Sequence, residues 1–206
     1  MDTSTQTIIS SKSTMRALRI LARTELPLSI AQIARHTGLT RPSVTNALER
    51  LDDAGIILTT RSGNARLFQL VKENIYVEKI LLPLFDLEDN LVHYMTKDIK
   101  DALGQKAVSI IMFGSFARGD YTAESDVDIL VVSPDTLGYK NLKGPLESEL
   151  AQYSSDFYRK FGYPLEVLTY DYKDATELQT RAPALYKEIL DDGILIAGTS
   201  DWINDA

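Results

Sequence analysis

Gly114, Ser115, Asp126 and Asp128 are the residues whose types and spacing most clearly could do chemistry in this chain of 206 residues. A Gly-Ser pair that leaves a strand and opens a helix lets the backbone approach a phosphate closely, and the free amide hydrogens of the first turn favour an anion. Ser115 adds a hydroxyl. Asp126 and Asp128 stand two apart at the start of a strand, so both carboxylates point to one face, and carboxylates side by side repel unless a cation lies between them. Magnesium suits such a pair, because it takes oxygen ligands and is commonly held by one or two carboxylates together with substrate phosphates. Gly-Ser is frequent in loops and Asp-x-Asp on surfaces, so neither element is specific alone. Their combination is, with Ala117-Arg118-Gly119 between them and an apolar run from Ile129 to Val132 behind. Arg118 is a candidate clamp on phosphate oxygens, or else an ion-pair partner of Asp120 or Glu124. Ser125 either assists phosphate binding or caps the turn into the strand.

Elements that could position these groups follow from residue 106 onward, where β and α patterns alternate. Strands are predicted at 107–113, 129–132 and 165–170, amphipathic helices at 142–161 and 175–190, and a short last strand at 194–197. The acidic end after Ser200 reads as a loose tail. Tyr153, Tyr158 and Tyr163 fall where a helix packs on a sheet and are taken as core. His36 and His93 stand alone on predicted helices and receive no role. Before this region, residues 75–104 carry Ile80, Leu84, Leu87, Leu91, Met95, Ile99 and Leu103 three or four apart, a helical stripe that packs on the second domain or on a second copy of the chain in a homodimer.

The first 73 residues read differently. A helix at 13–23 is followed by Ser29-Ile30-Ala31-Gln32, a capping box ahead of a second helix that ends at Gly38. Thr40-Arg41-Pro42 starts a third, with Val44, Leu48 and Leu51 inward and Arg41, Ser43, Thr45, Asn46, Glu49 and Arg50 outward, stopped at Gly55. Two β-type runs, 56–61 and 65–71, flank Ser62-Gly63-Asn64 as a hairpin. This order resembles the winged helix-turn-helix domain of transcriptional regulators, which implies a DNA partner. Residues 1–73 hold ten Lys and Arg against six Asp and Glu, while the rest of the chain holds 12 against 23. Such asymmetry implies partners of opposite electrostatic demand. Thr40, Arg41, Ser43, Thr45, Asn46 and Arg50 are the candidate readers of the major groove, with Arg61 and Arg66 on the wing meeting phosphates beside it.

Gly114-Ser115, ten residues, then Asp126-Val127-Asp128 resembles the signature of polymerase-beta-like nucleotidyltransferases, and more narrowly their minimal nucleotidyltransferase group. The fold class expected is therefore two domains: a mostly-α winged helix with a β-hairpin wing at 1–74, a connecting helical region at 75–104, and an α/β nucleotidyltransferase domain at 105–206 with a mixed sheet flanked by helices. The resemblance implies a nucleoside triphosphate, ATP in the first instance, held at the Gly-Ser turn, and two magnesium ions held by Asp126, Asp128 and a third carboxylate on a later strand. Glu166 is the candidate for that third place, because it interrupts an apolar run; Asp171 is the weaker one. Many relatives carry Asp there. The reaction implied moves a nucleoside monophosphate, AMP above all, to an acceptor, with Glu166 as base or metal ligand. The acceptor implied is a partner toxin with a HEPN ribonuclease domain or another protein, with small molecules such as aminoglycosides the alternative that the superfamily offers, and the winged helix suits autoregulation of the toxin operon. A transcriptional regulator whose second domain is silent or only senses nucleotide is the alternative.

Several classes are excluded by what is missing. Without cysteine there is no disulfide framework, and with two histidines zinc is disfavoured. No apolar run reaches the roughly 20 residues of a membrane span, and residues 1–10 lack the order of a signal peptide, so a cytoplasmic location is expected.

Overall fold

The computed structural model describes residues 11–134 and 145–204, and the chain divides into two compact units between Asn90 and Leu91. The first unit begins with helix α1 (Lys12–Ala22), capped by Ser11. A two-residue strand β1 (Leu28–Ser29) leads into α2 (Ile30–Thr37) and then α3 (Arg41–Asp53). Ser29 and Gln32 form the expected capping box, the Ser29 N–H donating to Gln32 Oε1 at 2.9 Å, and Thr40 caps α3. Strands β2 (Ile57–Ser62) and β3 (Ala65–Leu70) form the wing. Gly63 at the tip takes φ +59°, a conformation its lack of Cβ permits. The sheet order is β1-β3-β2, all antiparallel. β1 was not legible in the sequence, because two residues are too few to show a period of two.

The core of this unit joins Leu18 and Leu21 of α1, Ile33 of α2, Val44, Leu48 and Leu51 of α3, and Phe68 of β3. A π-helical turn (Val77–Leu81) runs into α4 (Leu82–Asp89), where Pro83 sits in the first turn. Arg19 fastens α1 to α4 with two hydrogen bonds to the Glu88 carboxylate, at 2.7 and 2.8 Å. The segment expected as one connector is thus shared between the units. Phe85 is buried in the first, while α5 (Leu91–Leu103) buries Met95, Ile99 and Leu103 in the second, and Ile80 and Leu87 of the stripe are exposed. Asn90 interrupts the helix, capping α4 with its side-chain amide on the Asp86 carbonyl.

In the second unit the strands are β4 (Ser109–Phe113), β5 (Val127–Ser133), β6 (Leu165–Asp171) and β7 (Ile194–Gly198), in the order β6-β5-β4-β7. β5 and β6 are parallel and the other two pairs antiparallel, so the sheet is mixed, as expected. The five-residue helix α6 (Gly114–Arg118) follows β4, and α7 (Pro145–Phe161) crosses between β5 and β6. The predicted start of α7 at residue 142 lies outside the described residues. One sheet face packs on α5 and α7 through Ile110, Met112, Ile129 and Phe157, and the other is covered by α8 (Tyr172–Thr176), α9 (Leu178–Arg181), α10 (Pro183–Asp192) and α11 (Asp201–Asn204).

Three expectations are corrected here. The helix read at 175–190 is three short ones, because Asp171 caps a new start, its Oδ1 accepting from the Asp174 N–H at 2.6 Å, and Pro183 enforces another. The tail after Ser200 is not loose: α11 brings Trp202 to full burial against the sheet. Tyr158 is exposed rather than core, whereas Tyr153 is half-buried and its hydroxyl donates to Asp98 at 2.9 Å. Burial, then the hydrogen bond to Asp98, pushes that phenol well above its ordinary pKa.

Candidate active site and nucleic-acid interface

Strand register assembles the acidic site. In the parallel β5–β6 pair Asp128 stands directly beside Glu166, and in the antiparallel β4–β5 pair it stands beside Phe113, the residue before the Gly-Ser turn. Side chains in register on adjacent strands share a face, so Asp128 and Glu166 project together, with Asp126 two residues earlier at the entry to β5. Gly114 adopts φ +73°, and a Cβ there would lie 2.4 Å from Asp128 Oδ2. A side chain there would be strained by the backbone and would displace that carboxylate. Phe116 anchors α6 from below, fully buried and stacked on Tyr121 at 4.1 Å between ring centroids.

Asp128 is half-buried, and its pKa is raised to about 6, first by desolvation and then by the negative charges of Glu166, Asp126 and Glu188, with Arg118 opposing. Among the described residues no three His, Cys, Asp or Glu side chains are drawn closely enough together to hold a metal ion as they stand. The donor set nevertheless suits a hard cation. Asp128 meets the negative charges of Glu166 and Asp126, oxygen is the only donor atom of all three, and phosphates supply further ligands in such sites.

The other predicted residues have separate surroundings. Ser115 is half-buried on α6, beside the acidic face. Ser125 is engaged locally, its Oγ accepting from the Thr122 N–H at 2.9 Å, which caps the loop into β5. Asp171, the weaker candidate for the third carboxylate, is the N-cap of α8. Arg118 donates to Asp120 at 3.4 Å, as the sequence allowed, and to Glu188 Oε1 at 2.8 Å. Glu188 carried no sequence signal: it lies 70 residues from Arg118 on α10, and only the packing of α10 against β4 and α6 brings it to the site.

In the first unit, Ser29, Ala31, Arg41, Thr45, Asn64 and Arg66 line a groove of about 430 Å3 between the start of α2, the start of α3 and the wing. Arg41 and Asn46 are exposed on α3, Ser43 and Thr45 half-buried, and Thr40 is committed to its capping bond, while Arg50 sits at the far end of the helix. On the wing Arg61 and Arg66 are direct cross-strand partners, and Arg66 lies over the Phe68 ring at 5.2 Å. Among the described residues Arg41, Arg50, Arg61 and Arg66 form no ion pairs.

A Gly-Ser turn and strand-end carboxylates thus meet on one mixed sheet. The chain belongs to the nucleotidyltransferase family: the model described as a nucleotidyltransferase domain matches residues 94–196, and the MarR family model matches residues 11–66, so a MarR-type winged helix precedes it. Over 42 residues the chain is 48% identical to a Methanocaldococcus jannaschii protein provisionally named a protein adenylyltransferase, covering 20% of this chain and 42% of that one. A second protein of that organism with the same provisional name is 40% identical over 52 residues, 25% of this chain and 52% of the relative. The chain thus spans about half the length of the curated relatives it matches. Among solved structures, a toxin-antitoxin crystal structure with AMP-PNP is 18% identical with a TM-score of 0.36, over 55% of this chain and 77% of that one. A provisionally named nucleotidyltransferase from Sulfolobus solfataricus is 20% identical with a TM-score of 0.29, over 53% and 82%. Scores this low leave both as weak likenesses. Among the described residues no helix is long and apolar enough to cross a membrane.

Proposed function

We propose that the second unit transfers AMP from ATP to a protein hydroxyl and that the first binds DNA. The observation that carries the transferase reading is the register of Asp128 beside Glu166, with Asp126 two residues away and the Gly114 turn closed against the Asp128 carboxylate. Gly114 and Ser115 hold the phosphates and Arg118 clamps them. Ser125 shapes the loop and stands at the edge of the same site. Asp126, Asp128 and Glu166 would hold magnesium. When bound, the cation supplies charge neutralisation at the phosphates. The acceptor oxygen attacks the α-phosphorus, the bond from that phosphorus to the bridging oxygen breaks, and pyrophosphate leaves with both electrons of that bond. Glu166, exposed at the strand edge, takes the acceptor proton or completes the cation's ligands. Adenylate is favoured by the names of the relatives, and a toxin with a HEPN domain is the acceptor that the family resemblance implies.

DNA binding rests on the wing. Like charges directly opposite on adjacent strands cost stability, and Arg61 faces Arg66 with no carboxylate paired to either among the described residues. Phosphate is the partner that repays such a pair, while Thr45, Asn46 and Ser43 on α3 present short polar groups to base edges.

ATP labelled at the α- or the γ-phosphate, added to purified protein with a lysate as acceptor source, tests the transfer. Above the level of the lysate alone, label enters protein from the α position only, and falls by on the order of a hundredfold or more in Asp126→Asn/Asp128→Asn. Label from the γ position that depends on the added protein, or transfer indifferent to the double substitution, overturns the reading.

A further inference from the structure

The carboxylate that meets Arg118 belongs to neither sequence motif. Glu188 is delivered by α10, whose position is set by the core: Ile189 is buried, and Gly193 at the end of the helix closes on Ile111 of β4. Its Oε1 accepts from Arg118 Nη1 at 2.8 Å, whereas Asp120 accepts from Nε at only 3.4 Å. Both members of the Arg118–Glu188 pair keep about a third of their side-chain surface exposed, at 36% and 37%. An exposed pair of this kind adds little to stability. Its placement is the informative feature, because Glu188 adds a negative charge to a face that already gathers Asp126, Asp128 and Glu166, and its charge is felt at Asp128. The Nη1 donor that Glu188 occupies is one that a phosphate oxygen would take, in the fork geometry guanidinium offers to carboxylate and phosphate alike.

We propose that Glu188 is a positioning residue that holds Arg118 as an internal stand-in for phosphate and yields it to the triphosphate when nucleotide enters. This rests on the reading above that Arg118 meets the phosphates. The consequence is selectivity: free triphosphate must break the pair and face the repulsion of four carboxylates, whereas triphosphate that arrives with magnesium brings compensating charge.

The test is calorimetric titration of α,β-methylene-ATP, with and without magnesium, into wild type, Glu188→Gln, Arg118→Met and the double variant, each checked for folding by circular dichroism. Glu188→Gln should bind the magnesium-free analogue about two- to fivefold more tightly than wild type, gain less with magnesium present, and gain nothing in the Arg118→Met background. Glu188→Ala should follow Glu188→Gln, which guards against a fold effect peculiar to one substitution. Unchanged or weaker binding in both Glu188 variants overturns the proposal, and so does a gain that persists without Arg118. Absence of binding by wild type in magnesium would instead overturn the nucleotide reading itself, and this inference with it.

Discussion

Asp128 ties the chemistry of the site to the stability of the fold. Its carboxyl has an ordinary value of 3.8 in the unfolded chain and about 6 in the folded one. Between those values the folded state binds more protons, so stability falls as pH rises through that window, and above pH 6 the penalty is complete. The full shift would amount to about 3 kcal/mol; discounted for a half-exposed group it is about 1 kcal/mol. Ligand-free Asp128→Asn should therefore unfold a few degrees higher than wild type at pH 7.5, and the difference should vanish near pH 4. Trp202, the only tryptophan, is buried in the same unit and reports the transition by fluorescence. A variant less stable than wild type at pH 7.5 would contradict the electrostatic account of Asp128. A variant more stable than wild type at pH 7.5 would make the residue that limits stability the one the proposed reaction needs.

At the level of elements, β6 and α8 separate two carboxylates that the sequence left in competition. Glu166 faces Asp128 across the sheet, while Asp171 ends the same strand and caps α8. Asp171→Ala should cost about 1 kcal/mol, as loss of a helix cap does, and leave magnesium-nucleotide binding intact. Glu166→Gln should do the reverse. Thermal unfolding and calorimetry on the same two proteins decide it, and loss of binding in Asp171→Ala alone would reassign the third carboxylate. The sequence carried most of this architecture because its signals are local: Ser29 and Gln32 announce a capping box, Gly63 a hairpin tip, Asp126-Val127-Asp128 a strand entry. What escaped has no local mark. Glu188 reaches Arg118 only through the packing of α10, β1 exists only because Leu28 pairs with Phe68, and Trp202 is buried only because the sheet is there to receive it. The single helix read at 175–190 failed for a different reason, since its apolar spacing is helical throughout and only Asp171 and Pro183 punctuate it.

Across the whole molecule, charge is divided between two compact units of different chemistry. The net −7 of the chain conceals a basic first third and an acidic remainder, so the two activities should respond oppositely to solution conditions. DNA binding should weaken steeply with salt, and Arg66→Ala should lower the slope of log affinity against log salt by about one, measured by fluorescence anisotropy, with nucleotide binding untouched. An unchanged slope would remove Arg66 from the phosphate contacts. The acidic site, in contrast, should depend on magnesium more than on monovalent salt. The most direct measurement is calorimetric titration of ATP with magnesium into wild type and into Asp126→Asn/Asp128→Asn, both verified as folded by circular dichroism. The account predicts saturable, magnesium-dependent binding by wild type that is lost in the folded double variant. Equal binding by both proteins, or none by wild type, would contradict it.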